Sequence, residues 1–294
     1  MDKLTYELRA LCKQNRDGSH GTQAQRLKQL KLFAKQLKQL GFKHMGMRSL
    51  KTKHVKELVA NWLCKPSKQT NKPISSATIK NRMAALRWWA GKIGKPGVIP
   101  KNNKDLGIPN RQRLSGHNKA FTVTKHQLKN LPSYLSISIR LQQEFGLRRE
   151  EAAKFVPAIA VQDNQIELKA SWTKGGRRRT IPITTAGQRA LLKDIAELKQ
   201  NASLIPAKME FKQYISHRDH HLAKVNIRQA HGLRHHYAQQ RYITLSNGLT
   251  PPILQEGLPV KLTPADQALD AGARLIVANE LGHARISVTR DYLD

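Results

Sequence analysis

Four short stretches carry groups that can bind and attack a phosphate diester. In Gly146-Leu147-Arg148-Arg149-Glu150-Glu151, Arg148 and Glu151 lie one helical turn apart, so the carboxylate can orient the guanidinium from behind. Taken alone, that pair reads as an ordinary surface ion pair. Thr173-Lys174-Gly175-Gly176-Arg177-Arg178-Arg179 sets a lysine on a two-glycine turn with three arginines behind it. Such a lysine can lie over a DNA groove while the arginines hold phosphates. An ammonium among other cations also gives up its proton readily, which suits a donor to a leaving oxygen. The plain alternative is a solvated, positively decorated turn. His231-Gly232-Leu233-Arg234-His235-His236-Tyr237 offers His231 and Arg234 on one helical face to a single anion, or else is simply a basic helix start. Leu281-Gly282-His283 is followed nine positions later by Tyr292. A lone tyrosine there is usually a packing residue. Here it is the residue type in the set able to act as nucleophile, because Ser and Cys lack a matching base and orienting acid.

A metal reading of His217, His220, His221 and the histidines at 231–236 finds no carboxylate or cysteine set to complete it, so no metal and no cofactor is expected. No phosphate-cradling G-x-x-x-x-G-K-[ST] loop is present. Tyr237 and Tyr242 are rival nucleophiles by type alone, with Tyr237 read as structural. Of Trp88 and Trp89, one is expected in the core rather than stacked on bases.

The elements that must position these groups are mostly helices. Leu27, Leu30, Ala34 and Leu37 repeat at helical spacing between Thr22 and Leu40, ended by Gly41, with Lys28, Lys31, Lys35 and Lys38 as a basic stripe on the opposite face. Leu50 to Leu63 predicts a further helix. Ser75 to Lys92 predicts another, with Ile79, Met83, Leu86 and Ala90 inward and Lys80, Arg82 and Arg87 outward. From Gly94 to about Asn118 the periodicity stops in a Gly-, Pro- and Asn-rich stretch that reads as a linker. Helical patterns follow at Thr124–Leu131 and Ile137–Phe155. Alternation over Gln165–Trp172 and Arg178–Ile183 predicts a strand pair turning at Gly175-Gly176, and helices resume near Thr185. The expected fold is mainly α with a small β-sheet.

Charge names the class of partner. Across 294 residues, 52 Lys and Arg against 20 Asp and Glu give a formal net charge of +32, a field suited to a polyanion. The basic residues are interleaved with apolar ones, which excludes a disordered basic tail. Two cysteines cannot build a disulfide framework, no signal peptide opens the chain, and no run reaches the length of a membrane span. The expectation is a soluble, intracellular protein acting on nucleic acid.

Taken in order, Gly-Leu-Arg-x-x-Glu, the hairpin lysine, His-x-Leu-Arg-His, Leu-Gly-His and a tyrosine nine residues further resemble the tyrosine recombinases, also called the phage integrase family. The resemblance covers about Phe121 to the end. More loosely, the N-terminal part is similar to that family's helical, SAM-like core DNA-binding domain, with Ala77 to Arg87 matching its DNA-facing helix. It implies a core-binding domain at 1–95, a linker at 96–118 and an α+β catalytic domain at 119–294, with an insertion at about 244–263. It further implies that Arg148, Arg234 and His231 hold the scissile phosphate, with Glu151 supporting and His283 adding a hydrogen bond. Lys174 would protonate the departing 5′ oxygen, and Tyr292 would attack to form a 3′-phosphotyrosyl link. DNA contacts are expected from Lys28, Lys31, Lys35, Lys38, Lys80, Arg82, Arg87, Arg177, Arg178 and Arg179. The implied function is a site-specific recombinase of a mobile element. The implied partners are double-stranded DNA bearing a specific site, three further copies in a homo-tetramer, and an accessory DNA-bending protein. No membrane is involved, and the expected location is cytoplasmic, at a bacterial nucleoid. The competing readings are a type IB topoisomerase-like enzyme and a non-catalytic DNA-binding accessory protein. Two departures stand out: 49 positions separate Arg234 from His283, and the segment that many relatives carry beyond the nucleophile is nearly absent.

Overall fold

The computed structural model describes residues 2–64, 66, 71–110, 117–197, 202–256 and 261–294. The chain divides into two compact units, Met1–Gln112 and Arg113–Asp294. The first is built on α1 (Lys3–Gln14), α2 (His20–Gln39), α3 (Thr52–Cys64) and α4 (Ser76–Lys92). Asp2, Ser19 and Ser75 each accept a backbone N–H three residues on, which stabilises the starts of α1, α2 and α4 by about 1 kcal/mol apiece. Leu8, Phe33, Leu37, Trp62, Met83 and Trp89 meet in one core.

Helix α1, with Leu4, Leu8 and Leu11 buried on one face, is an element the sequence reading passed over. Lys28, Lys31, Lys35 and Lys38 are exposed along α2. Neither arginine expected outward on α4 is fully exposed. Arg82 packs its guanidinium over the Trp62 ring at 5.1 Å, and Arg87 donates to Pro100 O, Lys101 O and Asn103 Oδ1. Both arginines therefore brace the fold, whereas Lys80 is half-buried. The stretch read as linker behaves differently as well: Ile99 and Ile108 are buried in this same core, while 111–116 lies outside the described residues. Trp89 is buried, and half-buried Trp88 donates to Asp17 beneath the Arg26 guanidinium.

The second unit contains α5 (Lys125–Lys129), α6 (Ser133–Phe145), α7 (Arg149–Lys154), α8 (Pro157–Ala160), β1 (Gln165–Leu168), β2 (Arg179–Pro182), α9 (Ala186–Glu197), α10 (Phe211–Lys224), α11 (His231–Leu245), α12 (Pro264–Glu280) and α13 (Arg290–Leu293). The helical pattern expected over Ile137–Phe155 is broken. Gly146 ends α6 in the left-handed region at φ +61°, and its N–H closes on Leu141 O. A Cβ at Gly146 would stand 2.5 Å from Tyr237 Cδ1, so glycine serves both the turn and the close approach of α11.

The strand pair is shorter than its alternation suggested. Antiparallel pairing runs from Gln165 with Pro182 to Leu168 with Arg179, and Ala170–Trp172 forms a 3₁₀ turn. Gly175 and Gly176, both at positive φ, lie in the loop that connects the strands. Helix α11 serves two cores: Leu233 packs with Leu135, Ile139, Tyr214 and Leu222, whereas Tyr237, Ala238 and Tyr242 pack with Phe145, Ile181, Val277 and Leu293.

In the 244–263 insertion, Leu249 lies against the core of its own unit, and 257–260 is outside the described residues. Thr263 then caps α12, exchanging hydrogen bonds with Asp266, as Pro264 occupies the first turn. Among the described residues no helix is long and apolar enough to cross a membrane.

Candidate active site

The last turn of helix, α13, carries Tyr292 into the second unit, where it is only 7% exposed. Its ring stacks on His235 at 4.3 Å between centroids and 29° between planes. The hydroxyl lies 3.2 Å from His231 Nε2 and accepts from Arg234 Nε at 3.3 Å. Arg234 is fully buried on the first turn of α11. Its other nitrogens donate to two main-chain oxygens, Gly146 O and Leu281 O, and approach His283 Nε2 at 3.4 Å. His283 is fixed through Nδ1 by Thr289 Oγ1 at 3.1 Å.

Arg148 precedes α7 in an extended conformation, and its N–H is received by Glu151 at 2.7 Å. Its guanidinium donates to Glu151 at 2.8 Å and reaches Gly282 O at 3.4 Å. Thus Arg148, His231, Arg234, His283 and Tyr292 converge from three helix ends and the turn after α12. Lys174 does not join them; it stands exposed on the hairpin loop.

Electrostatics set the protonation states. Burial pushes the Glu151 carboxyl up, but hydrogen bonds and charge from Arg179, then the charges of Arg148 and Arg234, hold it at about 2. Burial lowers Arg234 to about 10, still protonated at neutral pH. Burial and the neighbouring guanidiniums lower His283 to about 3, and burial with His231, Lys119 and Arg234 lowers His235 to about 4. His231, though its outer edge meets solvent, is lowered by the protein packed against it and by Arg234 and Arg148. At pH 7 the site therefore pairs permanent guanidinium charge with neutral imidazoles. Such a set can stabilise charge building on phosphate oxygens while an imidazole accepts a proton from the phenol.

Glu151 is not the surface ion-pair partner that its spacing alone suggested, since it is fully buried. The expectation that Arg179 contacts DNA is corrected. It is 8% exposed, grips Glu151 with two nitrogens at 2.9 and 2.7 Å, and donates from Nε to Glu280 O at 2.8 Å. Arg177 and Arg178 are exposed, with Arg178 paired to Glu167.

The rival tyrosines are held elsewhere. Tyr237 donates to Glu280 at 2.7 Å, and burial with that carboxylate raises its pKa well above the ordinary value. Tyr242 donates to Asp270, with its pKa likewise raised by burial and that acid. His217 and His221 face each other at 3.2 Å, and among the described residues no group of three His, Cys, Asp or Glu is placed to hold a metal.

Sequence reasoning placed Arg179 on DNA instead of on Glu151 and gave His235 no role. Period two along β2 puts Arg179 on the buried face with Ile181, and the four-residue step from His231 puts His235 one turn along α11. Those two periodicities were the available signals.

The family described as phage integrase, N-terminal, matches residues 1–95, and the one described as integrase matches residues 113–240. No curated protein sequence matches the chain. Solved structures share its fold at low identity. The XerH site-specific recombinase bound to difH substrate is 17% identical with a TM-score of 0.56, covering 99% of this chain and 81% of that one. A lambda integrase dimer bound to a COC′ core site is 13% identical with a TM-score of 0.61, over 99% and 77%. The Tn1549 transposon integrase in complex with circular intermediate DNA is 13% identical with a TM-score of 0.53, over 100% and 96%. With both of its units matched, and with an ordered set of arginines, histidines and tyrosine in the second, the chain belongs to the phage integrase family, the tyrosine recombinases.

Proposed function

We propose that this chain cuts and rejoins double-stranded DNA at a specific site through a 3′-phosphotyrosyl intermediate. The observation that carries the reading is the Tyr292 hydroxyl, within hydrogen-bond reach of both the buried Arg234 guanidinium and the neutral His231 imidazole. In this reading the phenol oxygen bonds to phosphorus as the bond from phosphorus to the 5′ oxygen breaks. The phenol proton passes to His231, and Lys174 on the hairpin loop gives a proton to the departing oxygen.

Arg148 and Arg234 face the non-bridging oxygens, where charge rises most in the transition state, and His283 adds a further hydrogen bond. Because the ester energy stays in the phosphotyrosyl bond, an incoming 5′ hydroxyl reverses the step without ATP. Exchange between two duplexes calls for four nucleophiles, hence a homo-tetramer on two copies of the site, serving the integration or excision of a mobile element.

The test is a nicked suicide duplex carrying a sequence selected by binding from a random pool. Loss of the short 5′-hydroxyl fragment should leave the protein covalently attached, with the modified peptide containing Tyr292. A modified peptide elsewhere, or no adduct on any selected duplex, would overturn the reading.

A further inference from the structure

Beside the cluster around Tyr292 lies a second cationic recess that shares His231 with it and has guanidiniums of its own. It has a volume of about 490 Å³, and its walls include Gln142, Arg149, Arg218, Asp219, Arg228 and His231. Three guanidiniums come to it from three segments: the start of α7, the middle of α10 and the turn before α11. One carboxylate, Asp219, faces them.

Arg218 is only 4% exposed. Its terminal nitrogen holds Asp219 at 2.8 Å, and its Nε has no acceptor in the protein. Asp219 is itself about half exposed, so water weakens its counter-charge. Burial lowers the Arg218 pKa; Asp219 offsets part of this, and Arg149 adds to it. Three like charges around a hollow destabilise the protein, and one anion between them relieves the repulsion.

The chemistry selects the anion. Guanidiniums at several angles match the tetrahedral oxygens of a phosphate group. The position selects its source: His231 walls the recess on one side and touches the Tyr292 hydroxyl on the other, and Arg149 follows Arg148 in the chain. We propose that this recess binds one non-scissile phosphate of the DNA backbone, on the strand that Tyr292 attacks. The proposal rests on the recombinase reading for the identity of the strand. Two phosphates gripped on either side of His231 fix the strand at two points, which sets the line of approach of the phenol to phosphorus.

Backbone contacts are independent of sequence, so the test uses a short duplex of arbitrary sequence. Its affinity is measured from 50 to 200 mM chloride for the full chain and for Arg149→Gln, Arg228→Gln and the double variant. Both substituted side chains are exposed, so the fold is spared. Each single variant should weaken binding by about tenfold and reduce the slope of log affinity against log salt by about one. The double variant should lose less than the product of the two single losses, because the two residues share one phosphate.

Unchanged affinity and slope would overturn the proposal, as would losses that multiply fully, the mark of two separate contacts. A recess that takes free phosphate instead would show unchanged DNA binding together with loss of a thermal stabilisation by inorganic phosphate at matched ionic strength. None of these measurements needs cleavage. Absence of a tyrosyl adduct would sink the recombinase reading, whereas these slopes decide the recess.

Discussion

Replacing Tyr292 by phenylalanine removes one oxygen and keeps the ring stacked on His235. Tyr292→Phe should therefore abolish the covalent adduct on a suicide duplex while leaving duplex affinity unchanged in a gel-shift titration. The histidines around that ring give the protein a stability signature. His235 and His283 are held at about 4 and about 3 in the folded state. Below their ordinary value near 6.5 the unfolded chain takes up protons that the folded chain refuses, so stability is complete above that pH and falls as the pH drops toward 4. Urea midpoints should decrease steadily across that window. His235→Phe, which keeps an aromatic ring against Tyr292, should flatten the decrease. At this scale the sequence disclosed the groups that gather around Tyr292, because a phenol, guanidiniums and imidazoles are visible as letters. It concealed Arg179, whose partners Glu151 and Glu280 lie far from it along the chain and meet it only once β2 packs.

The break between α6 and α7 is the element on which the site turns. Gly146 combines a left-handed backbone, a close approach to Tyr237 and a carbonyl that receives Arg234. Gly146→Ala should cost about 2–3 kcal/mol in urea unfolding and lower the cleavage rate by more than it lowers affinity, since Arg234 shifts with its acceptor. The hairpin offers a contrast. Arg179→Gln should slow cleavage by at least about tenfold, because Glu151 loses its second anchor and Arg148 moves with it. Its salt slope for DNA should stay that of the unaltered protein, which separates a buried brace from a phosphate contact.

Local signals suffice for the caps at Ser75 and Thr263, which need only residues three apart. The strand pair stops at Leu168 for a reason those signals lack: Ala170–Trp172 tightens into a 3₁₀ turn that buries Trp172 beside Phe155. Likewise the Gly94–Asn118 stretch reads as linker by composition, yet Ile99 and Ile108 find places in the first unit's core.

For the molecule as a whole, a formal charge of +32 predicts DNA binding that weakens steeply with salt. If about six to ten phosphates are neutralised, affinity should fall by about 10³ to 10⁵ between 50 and 200 mM salt; a flat titration would contradict phosphate-dominated binding. The placement of Tyr292 bears on synthesis. Every group that holds its hydroxyl or ring, namely Arg234, His231, His235 and His283, is translated before it. The ribosome thus delivers the proposed nucleophile after its receptacle. A polypeptide released just before Tyr292 keeps α12 and its core contacts and lacks the phenol. On the recombinase reading such a product should bind DNA without breaking it, so translation interrupted there would yield an inhibitor rather than a source of strand damage.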